Sequence, residues 1–241
     1  MKQIFSILIT LGFLSGLSAL AQEEKGREIS VRCLSFANLK NDRDVYLHSM
    51  PDDLLDKGEK PPQIRVKTYL NSSRFTVNMV GDRIMFSSSK DPLTAKDEAI
   101  ATVKVPRDMK QILVVFFPAP KSDDPAAIPQ YPVKLIDDSV KAFPRGSILC
   151  YNLSEQPVRL MLEKKKYDIK VGKKKLIVDP PANARNHCSM YAYANAEDKW
   201  NRIGASLWPH PGPKRILQFF YLNPRSKRVE LKGIKDISIV D

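Results

Sequence analysis

The chain has 241 residues, of which 43% are hydrophobic and 27% are charged. This hydrophobic share excludes a wholly disordered chain, and the length is sufficient for two domains of ordinary size. Lys and Arg outnumber Asp and Glu by 39 to 27, which gives a net charge of +12. Such a charge suits an acidic partner (phospholipid headgroups, acidic polysaccharide or nucleic acid) but is equally typical of a soluble envelope protein that is merely basic.

The first 21 residues predict a secretory signal peptide. Lys2 provides a positive start, residues 4–19 form an almost unbroken apolar run without charge, and Ala19-Leu20-Ala21 gives the small-x-small pattern of a cleavage site. The apolar run is short for a bilayer span of roughly 20 residues. No Cys follows it directly, so a lipoprotein anchor is not expected. We therefore expect export to the periplasm or the extracellular space, with cleavage after Ala21.

Period-two patterns after the leader predict strands. Residues 74–79 alternate polar and apolar side chains and turn at Gly81 and Asp82 into residues 83–86, and residues 167–171 alternate up to Gly172. Residues 189–195 place Met and Ala on one face and two tyrosines on the other. Short alternating runs bounded by Gly, Pro, Asn and Asp are typical of sheets, and 18 prolines argue against long helices. The predicted fold class is all-β.

An internal repeat organises these strands. Residues 110–117 and 214–221 match at a spacing of 104 residues, and so do Ala-Thr-Val at 101–103 and Ala-Ser-Leu at 205–207. The opening strands echo more loosely, with Arg-Cys-Leu at 32–34 and Leu-Cys-Tyr at 149–151. Two copies of a strand-rich unit explain this order and spacing.

The repeat predicts two tandem β-sandwich units of immunoglobulin-like type. The first is expected over residues 22–120 and the second over 131–241, with a polar, proline-rich linker at 121–130. One larger β-sandwich whose sheets mix both halves is the alternative, because all-β domains can exceed 200 residues.

Three cysteines follow the leader: Cys33, Cys150 and Cys188. An oxidising compartment permits a disulfide, and Cys150 with Cys188 is then the expected pair, since both lie in the second half. The alternative is that all three are buried as small hydrophobic side chains on strands.

The sequence lacks the usual signatures of an enzyme. No two-histidine metal spacing, nucleophile elbow, glycine-rich phosphate loop or Cys-x-x-Cys is present. His187 and Cys188 are adjacent on a predicted strand, where their side chains point to opposite faces, so a copper site is not expected. Paired aspartates such as Asp137 and Asp138 suit solvated turns. We expect no enzyme activity, metal or cofactor, with a carboxylate-based hydrolase as the alternative.

Two lysine triplets and one tryptophan are the binding candidates. The triplets flank the strand at 167–171, where they suit an anionic polymer or guard a sheet edge against aggregation. Trp200 follows a charged turn and is a candidate for stacking on a sugar ring, whereas buried aromatics fill the core. The candidates are Lys164, Lys165, Lys166, Lys173, Lys174, Lys175 and Trp200.

The chain resembles uncharacterised exported bacterial proteins built from tandem immunoglobulin-like sandwiches. The resemblance rests on Val45-Tyr46-Leu47, on Asn152-Leu153-Ser154 and on the Ile-Leu-x-x-Phe/Tyr strand near the end of each half. It implies the fold and export but no agreed activity. The expected function is a non-enzymatic envelope binding or adaptor protein that presents loops or a sheet edge to a protein partner. The alternative is a module that binds polysaccharide or cell wall through the lysines and Trp200.

Overall fold

The computed structural model of the chain describes residues 26–37, 39, 44–50, 60–70, 74–124 and 126–237. Those residues form sixteen β-strands and contain no helix, which confirms the all-β prediction. The predicted signal peptide, residues 1–21, lies outside the described residues and stays a prediction. No helix in the described part of the chain is long and apolar enough to cross a membrane.

Each half of the chain contributes eight of the strands that the described residues form. The first half contains β1 (Arg27–Ser35), β2 (Val45–Met50), β3 (Gln63–Ile64), β4 (Phe75–Met79), β5 (Arg83–Ser87), β6 (Ala99–Lys104), β7 (Gln111–Phe116) and β8 (Val133–Asp137). The second half contains β9 (Ile148–Asn152), β10 (Val158–Leu162), β11 (Lys165–Ile169), β12 (Lys174–Ile177), β13 (His187–Ala196), β14 (Lys199–Pro209), β15 (Arg215–Leu222) and β16 (Val229–Asp236).

The strands pair into four sheets of four. The first half forms a first outer sheet, in the order β3-β2-β5-β6, and a first inner sheet, in the order β4-β1-β7-β8. The second half forms a second inner sheet, β12-β9-β15-β16, and a second outer sheet, β11-β10-β13-β14. The two orders are identical strand by strand, and in each half the first strand runs parallel to the seventh. The predicted repeat is thus confirmed, and we call the halves the first and second unit.

The four sheets stack as layers with three apolar cores between them. One core lies within the first unit and another within the second. The third core joins the two inner sheets and includes Leu34, Phe36, Leu113, Val115, Leu149, Tyr151, Leu217 and Phe219. The inner sheets are therefore buried on both faces. This is why β7 is a continuous apolar run rather than an alternating one.

The boundary between the units differs from the prediction. The sequence places residues 131–241 in the second unit, but β8 pairs antiparallel with β7 and completes the first inner sheet. The proline-rich segment before β8 is therefore a connection within the first unit, and the second unit starts after Asp138. A strand's sheet is decided by its hydrogen-bonded neighbour, which the composition of the preceding linker does not report.

The spacing of the repeat is uniform in some strands but not in all. Cys33 pairs with Val114, and Cys150 pairs with Gln218, so β7 and β15 keep the spacing of 104. In β6 and β14, however, each strand carries one bulged residue, Ile100 and Ile203, which correspond at a spacing of 103. The predicted match of residues 101–103 with 205–207 is therefore one residue out of register, which reverses the facing of each side chain.

Two aspartates occupy equivalent positions where the units meet. Asp138 directly follows β8 and donates its backbone N–H to the carbonyl oxygen of Gln111, at the start of β7. Asp236 ends β16 and pairs with Arg215, at the start of β15. Both carboxylates are buried with the guanidinium groups of Arg32 and Arg215. We call Arg32, Asp138, Arg215 and Asp236 the buried ion network.

Each arginine of the network binds both aspartates. Arg32 donates to the Asp138 carboxylate at 2.8 and 2.7 Å and to that of Asp236 at 2.9 and 2.7 Å. Arg215 donates from Nη2 to Asp138 at 2.7 Å and to Asp236 at 2.6 Å. All four side chains have no exposed surface. Because the bonds from Arg32 to Asp236 and from Arg215 to Asp138 cross the interface, the network ties the two units together.

Two members of the network, Asp236 and Arg32, favour their charged forms despite burial. Burial alone would raise the pKa of Asp236, but hydrogen bonds and positive charge from Arg32 and Arg215 lower it below its ordinary value. Burial would likewise lower the pKa of Arg32, and its bonds to the two aspartates raise it instead. A fifth residue, Arg74, lies 2.9 Å from the Asp138 carboxylate with 17% of its side chain exposed. Burial lowers the pKa of Arg74, an effect that Asp138 opposes.

The three cysteines are buried free thiols. Cys33 lies in the core of the first unit, and Cys150 and Cys188 lie in that of the second. The structure thus has the alternative arrangement, in which all three cysteines are buried on strands, and Cys150 and Cys188 are not bonded to each other. Burial raises the pKa of the Cys33 and Cys188 thiols and raises the pKa of Cys150 to about 12. In all three, burial therefore disfavours the thiolate, which is the reactive form.

This predicts slow thiol chemistry in the native chain. We expect a thiol reagent such as Ellman's reagent to react at least about a hundredfold more slowly with native than with unfolded protein, because access requires local opening. After unfolding in guanidinium chloride without reductant, three thiols per chain should react. A count of one would show instead that two cysteines are bonded.

Candidate binding face on the second outer sheet

The alternation of side chains in the second outer sheet leaves one face open to solvent. In β10, Leu160 and Leu162 are fully buried, so Arg159 and Met161 point outward. In β13, Met190, Ala192 and Ala194 are buried, whereas Tyr191 and Tyr193 are half-buried on the opposite side, as the sequence predicts. We call this outward side the binding face.

The strand register arranges the binding face in rows. One row crosses all four strands through Lys166, Met161, Tyr191 and Ala205. The next row contains Asp168, Arg159, Tyr193 and Arg202. A third pairs Asn195 with Trp200, and a fourth pairs Ser189 with Leu207. Residues that are distant in the sequence thus form one continuous patch of aromatic, apolar and basic side chains.

Trp200 contacts a charged side chain on this face. Its ring stacks against the Arg159 guanidinium, whose carbon is 4.1 Å from the ring centroid. Arg159 also donates two hydrogen bonds to the Asp168 carboxylate, at 2.5 and 2.7 Å. This bond raises the pKa of Arg159 and lowers that of Asp168. Stacking on one side and a bidentate ion pair on the other hold the guanidinium in one orientation.

The charge of the face is positive. Lys166 and Arg202 are exposed, and Asp168, the acidic residue in its rows, is neutralised by Arg159. Glu163, at the edge of the face, accepts a hydrogen bond from the Ser189 backbone at 2.7 Å. The face can therefore offer flat aromatic surface and free cations to a partner.

The two lysine triplets do not form a joint site. All six side chains are exposed, but Lys165 and Lys166 lie on β11 and Lys174 and Lys175 lie on β12. These strands are the edges of two different sheets, the second outer and the second inner sheet. Of the six, Lys166 belongs to the rows of the binding face. The position of the others suits lysines that guard an exposed edge against pairing with another chain.

Sequence reasoning identified some members of the binding face and missed others. Trp200, Lys166 and the two tyrosines carried a signal in residue type and alternation. Arg159, Asp168 and Arg202 were missed, because their roles depend on which strands are neighbours. The alternation of residues 158–162 indicates that Arg159 points outward, but no local pattern places it beside Trp200.

The described residues contain no group of three or more His, Cys, Asp or Glu side chains arranged to hold a metal ion. No known protein family matches the chain, and no curated protein sequence matches it either. Function is therefore inferred from the binding face itself.

Proposed function

We propose that the chain is an exported, non-enzymatic binding or adaptor protein of the cell envelope, and that it engages a protein partner through the binding face. The observation that carries the proposal is the clustering of Tyr191, Tyr193, Trp200, Met161 and Arg159 on one open sheet face. Tyr, Trp, Met and Arg are the residue types enriched where proteins bind each other, and Trp, Tyr and Arg dominate binding energy.

The rigidity of the face supports a protein partner. Tyr191 and Tyr193 are on a central strand, and the Arg159 guanidinium is fixed by Trp200 and Asp168. Aromatic side chains that are already ordered lose little conformational entropy when a partner covers them. A flat, pre-formed surface of this kind suits the broad contact that a folded partner makes.

Polysaccharide is the second candidate ligand, favoured by exposed Lys166 beside the aromatic rows. Against it, one side of the Trp200 ring is already covered by Arg159, which leaves the other side for a sugar. The remaining lysines are divided between two sheets, so they do not line one groove for a polymer.

Loss of the Trp200 ring tests the proposal. Trp200→Ala should weaken binding of an envelope protein by about 2 kcal/mol, or about thirtyfold, since truncating a tryptophan of an interface removes a binding hot spot. The measurement uses photocrosslinking of the mature chain in envelope fractions to find the partner, followed by titration with the purified partner. Lys174→Gln, on the second inner sheet, is the matched control and should bind like the wild type.

Retention on an acidic polysaccharide column separates the two ligands. If the chain is retained, if salt elutes it, and if the change of Lys164, Lys165 and Lys166 to Gln abolishes retention, the polysaccharide alternative is correct. If neither an envelope protein nor the polysaccharide binds to the mature chain, the proposal is wrong. Circular dichroism of each variant checks that the fold is intact.

A further inference from the structure

The edge of the second outer sheet is open along β14. This strand is 11 residues long and none of its residues is buried. It lies at the end of the sheet order, with β13 on one side and no strand on the other among the described residues. A long open edge presents backbone donors and acceptors to another chain.

The hydrogen bonds of β13 reveal which backbone groups of β14 are free. Ser189 accepts from the Glu163 N–H at 2.8 Å, so its backbone faces β10 rather than β14. Just beyond the paired residues of β13 and β14, the His210 N–H donates to the Asn186 carbonyl oxygen at 2.9 Å, so the backbone of His210 faces β13. Backbone direction alternates along an antiparallel pair, so the partners of Ser189 and Tyr191 turn away from β13. These partners are Leu207 and Ala205, whose N–H and C=O groups therefore point out from the edge.

In the first unit, the equivalent edge strand β6 is covered at its first two residues. The carbonyl oxygen of Ile100, the bulged residue of β6, accepts from the Tyr131 N–H at 2.8 Å. The neighbouring carbonyl of Ala99 accepts from Gln130 Nε2 at 2.7 Å. Both donors belong to the long connection that precedes β8. The corresponding connection in the second unit, between β15 and β16, contains residues 223–228 alone and is much shorter.

The edge strands also differ in their charge. At the spacing of 103 set by the two bulges, Lys104 of β6 corresponds to Leu207 of β14. Lys104 is exposed and pairs with Asp82 at 2.8 Å, whereas Leu207 is an apolar side chain with 59% of its surface exposed. A lysine that guards an edge in one unit is thus replaced by leucine in the other.

We propose that β14 pairs antiparallel with β14 of a second copy of this chain. The two-fold axis would pass through Ser206, which pairs Ala205 of each copy with Leu207 of the other. Both residues have outward backbone groups, so each N–H meets a C=O. The uncharged stretch of β14, residues 203–209, is centred on Ser206. The self-pairing is therefore complementary in both hydrogen bonding and charge, as a closed two-fold contact requires.

The remaining edges suit this role less well. β11 and β12 carry exposed lysines and have 5 and 4 residues, and β3 has 2. β4 and β8, the edges of the first inner sheet, have 5 residues each. β16 has 8 residues but carries Glu230, Lys232 and Lys235. Pairing through β14 would join two second outer sheets into one sheet of eight strands. The two binding faces would then form one continuous surface.

Net charge shapes how the dimer should respond to salt. The full chain carries a formal charge of +12, and the mature chain without Lys2 carries one positive charge less, so long-range repulsion opposes association at low ionic strength. Salt screens charges beyond roughly 8 Å at physiological ionic strength, while the backbone bonds of β14 are much shorter than that. The dimer should therefore strengthen as salt rises, which is the reverse of what contact with an acidic partner would show.

Sedimentation velocity of the mature chain from Gln22 tests the proposal. We expect a concentration-dependent dimer, and Leu207→Lys should raise its dissociation constant more than about tenfold, because each copy adds one lysine to the shared edge. Leu222→Lys changes another exposed leucine, with 42% of its surface exposed, and should leave the dimer unchanged. A chain that stays monomeric over the whole accessible concentration range overturns the proposal.

Crosslinking tests the register. Ser206→Cys places two thiols opposite each other at the two-fold axis, where facing Cβ atoms lie about 4.5–5.5 Å apart. Mild oxidation should give a covalent dimer from this variant and none from Leu222→Cys. A dimer that survives Leu207→Lys and fails to crosslink through Ser206→Cys uses another surface, which would also overturn the proposal. These readouts need no other protein, so they are independent of the proposed function.

Discussion

Replacing Asp236 by alanine is expected to lower the free energy of unfolding by about 3–5 kcal/mol. The substitution removes one carboxylate and leaves Arg32 and Arg215 fully buried with Asp138 as their shared counter-ion. An uncompensated buried charge costs far more than the lost ion pair is worth, because water cannot solvate it. Chemical denaturation of wild type and variant, monitored by fluorescence, measures the difference.

An exposed ion pair provides the matched control. Asp168 forms a bidentate bond with Arg159, but 56% of its side chain is exposed. Asp168→Ala removes the same charge and should cost less than about 1 kcal/mol, since solvent screens the pair. If the two variants are equally stable, burial of the network does not set its energy, and the prediction is wrong.

A double-mutant cycle measures the coupling between Arg32 and Asp236 within the network. Arg32→Met combined with Asp236→Leu removes one charge of each sign, so the four-residue network stays neutral, whereas each single variant leaves it charged. The two changes together should cost less than the sum of the single costs, with a coupling energy of about 1–3 kcal/mol. Additive costs would show that Arg32 and Asp236 do not act as a unit.

The same network predicts acid sensitivity. The pKa of Asp236 in the folded chain lies below its ordinary value of 3.8, so folding favours the ionised carboxylate. The resulting stability is fully present above pH 3.8 and is lost as the pH falls through the lower folded pKa. Wild-type stability should therefore fall more steeply with acidification in this range than that of Asp236→Ala, which has no such group to protonate.

Replacing Phe219 by alanine should have an effect of similar size, about 3–5 kcal/mol. Phe219 has no exposed surface and lies in the apolar core between the inner sheets. Its ring is 5.6 Å from that of Phe36, 6.0 Å from that of Phe117 and 5.9 Å from that of Tyr151. Because these partners come from both units, the substitution leaves a cavity at the contact between them rather than inside either sandwich.

Phe219→Ala should also reduce the cooperativity of unfolding. Wild type should unfold in a single transition, because the shared core and the buried ion network couple the two units. Phe219→Ala should lower the stability and broaden or split that transition, as measured by calorimetry. Phe116→Ala is the control: Phe116 is equally buried but lies in the core of the first unit, so it should cost similar stability without weakening the contact between units. If the broadening is the same for both variants, the coupling does not pass through Phe219.

Local sequence pattern determined the strands of this protein and their repetition. The alternation at residues 189–195 correctly separates buried Met190 and Ala192 from the outward tyrosines. The spacing of 104 residues likewise relates β7 to β15, and the two units have the same strand order. Side-chain alternation is a property of the backbone of a single strand, so it can be read without knowing the neighbouring strand.

Tertiary structure alone decided which strands are neighbours, and most of the candidate site depends on that. Arg159, Asp168 and Trp200 lie on three different strands of one sheet. Arg32 binds Asp236 although the two are separated by 204 residues of sequence. The assignment of β8 to the first unit and the shifted register of β14 likewise depend on which strands are neighbours. Backbone hydrogen bonds are alike for every residue, so sheet order is selected by packing of whole layers rather than by any local motif.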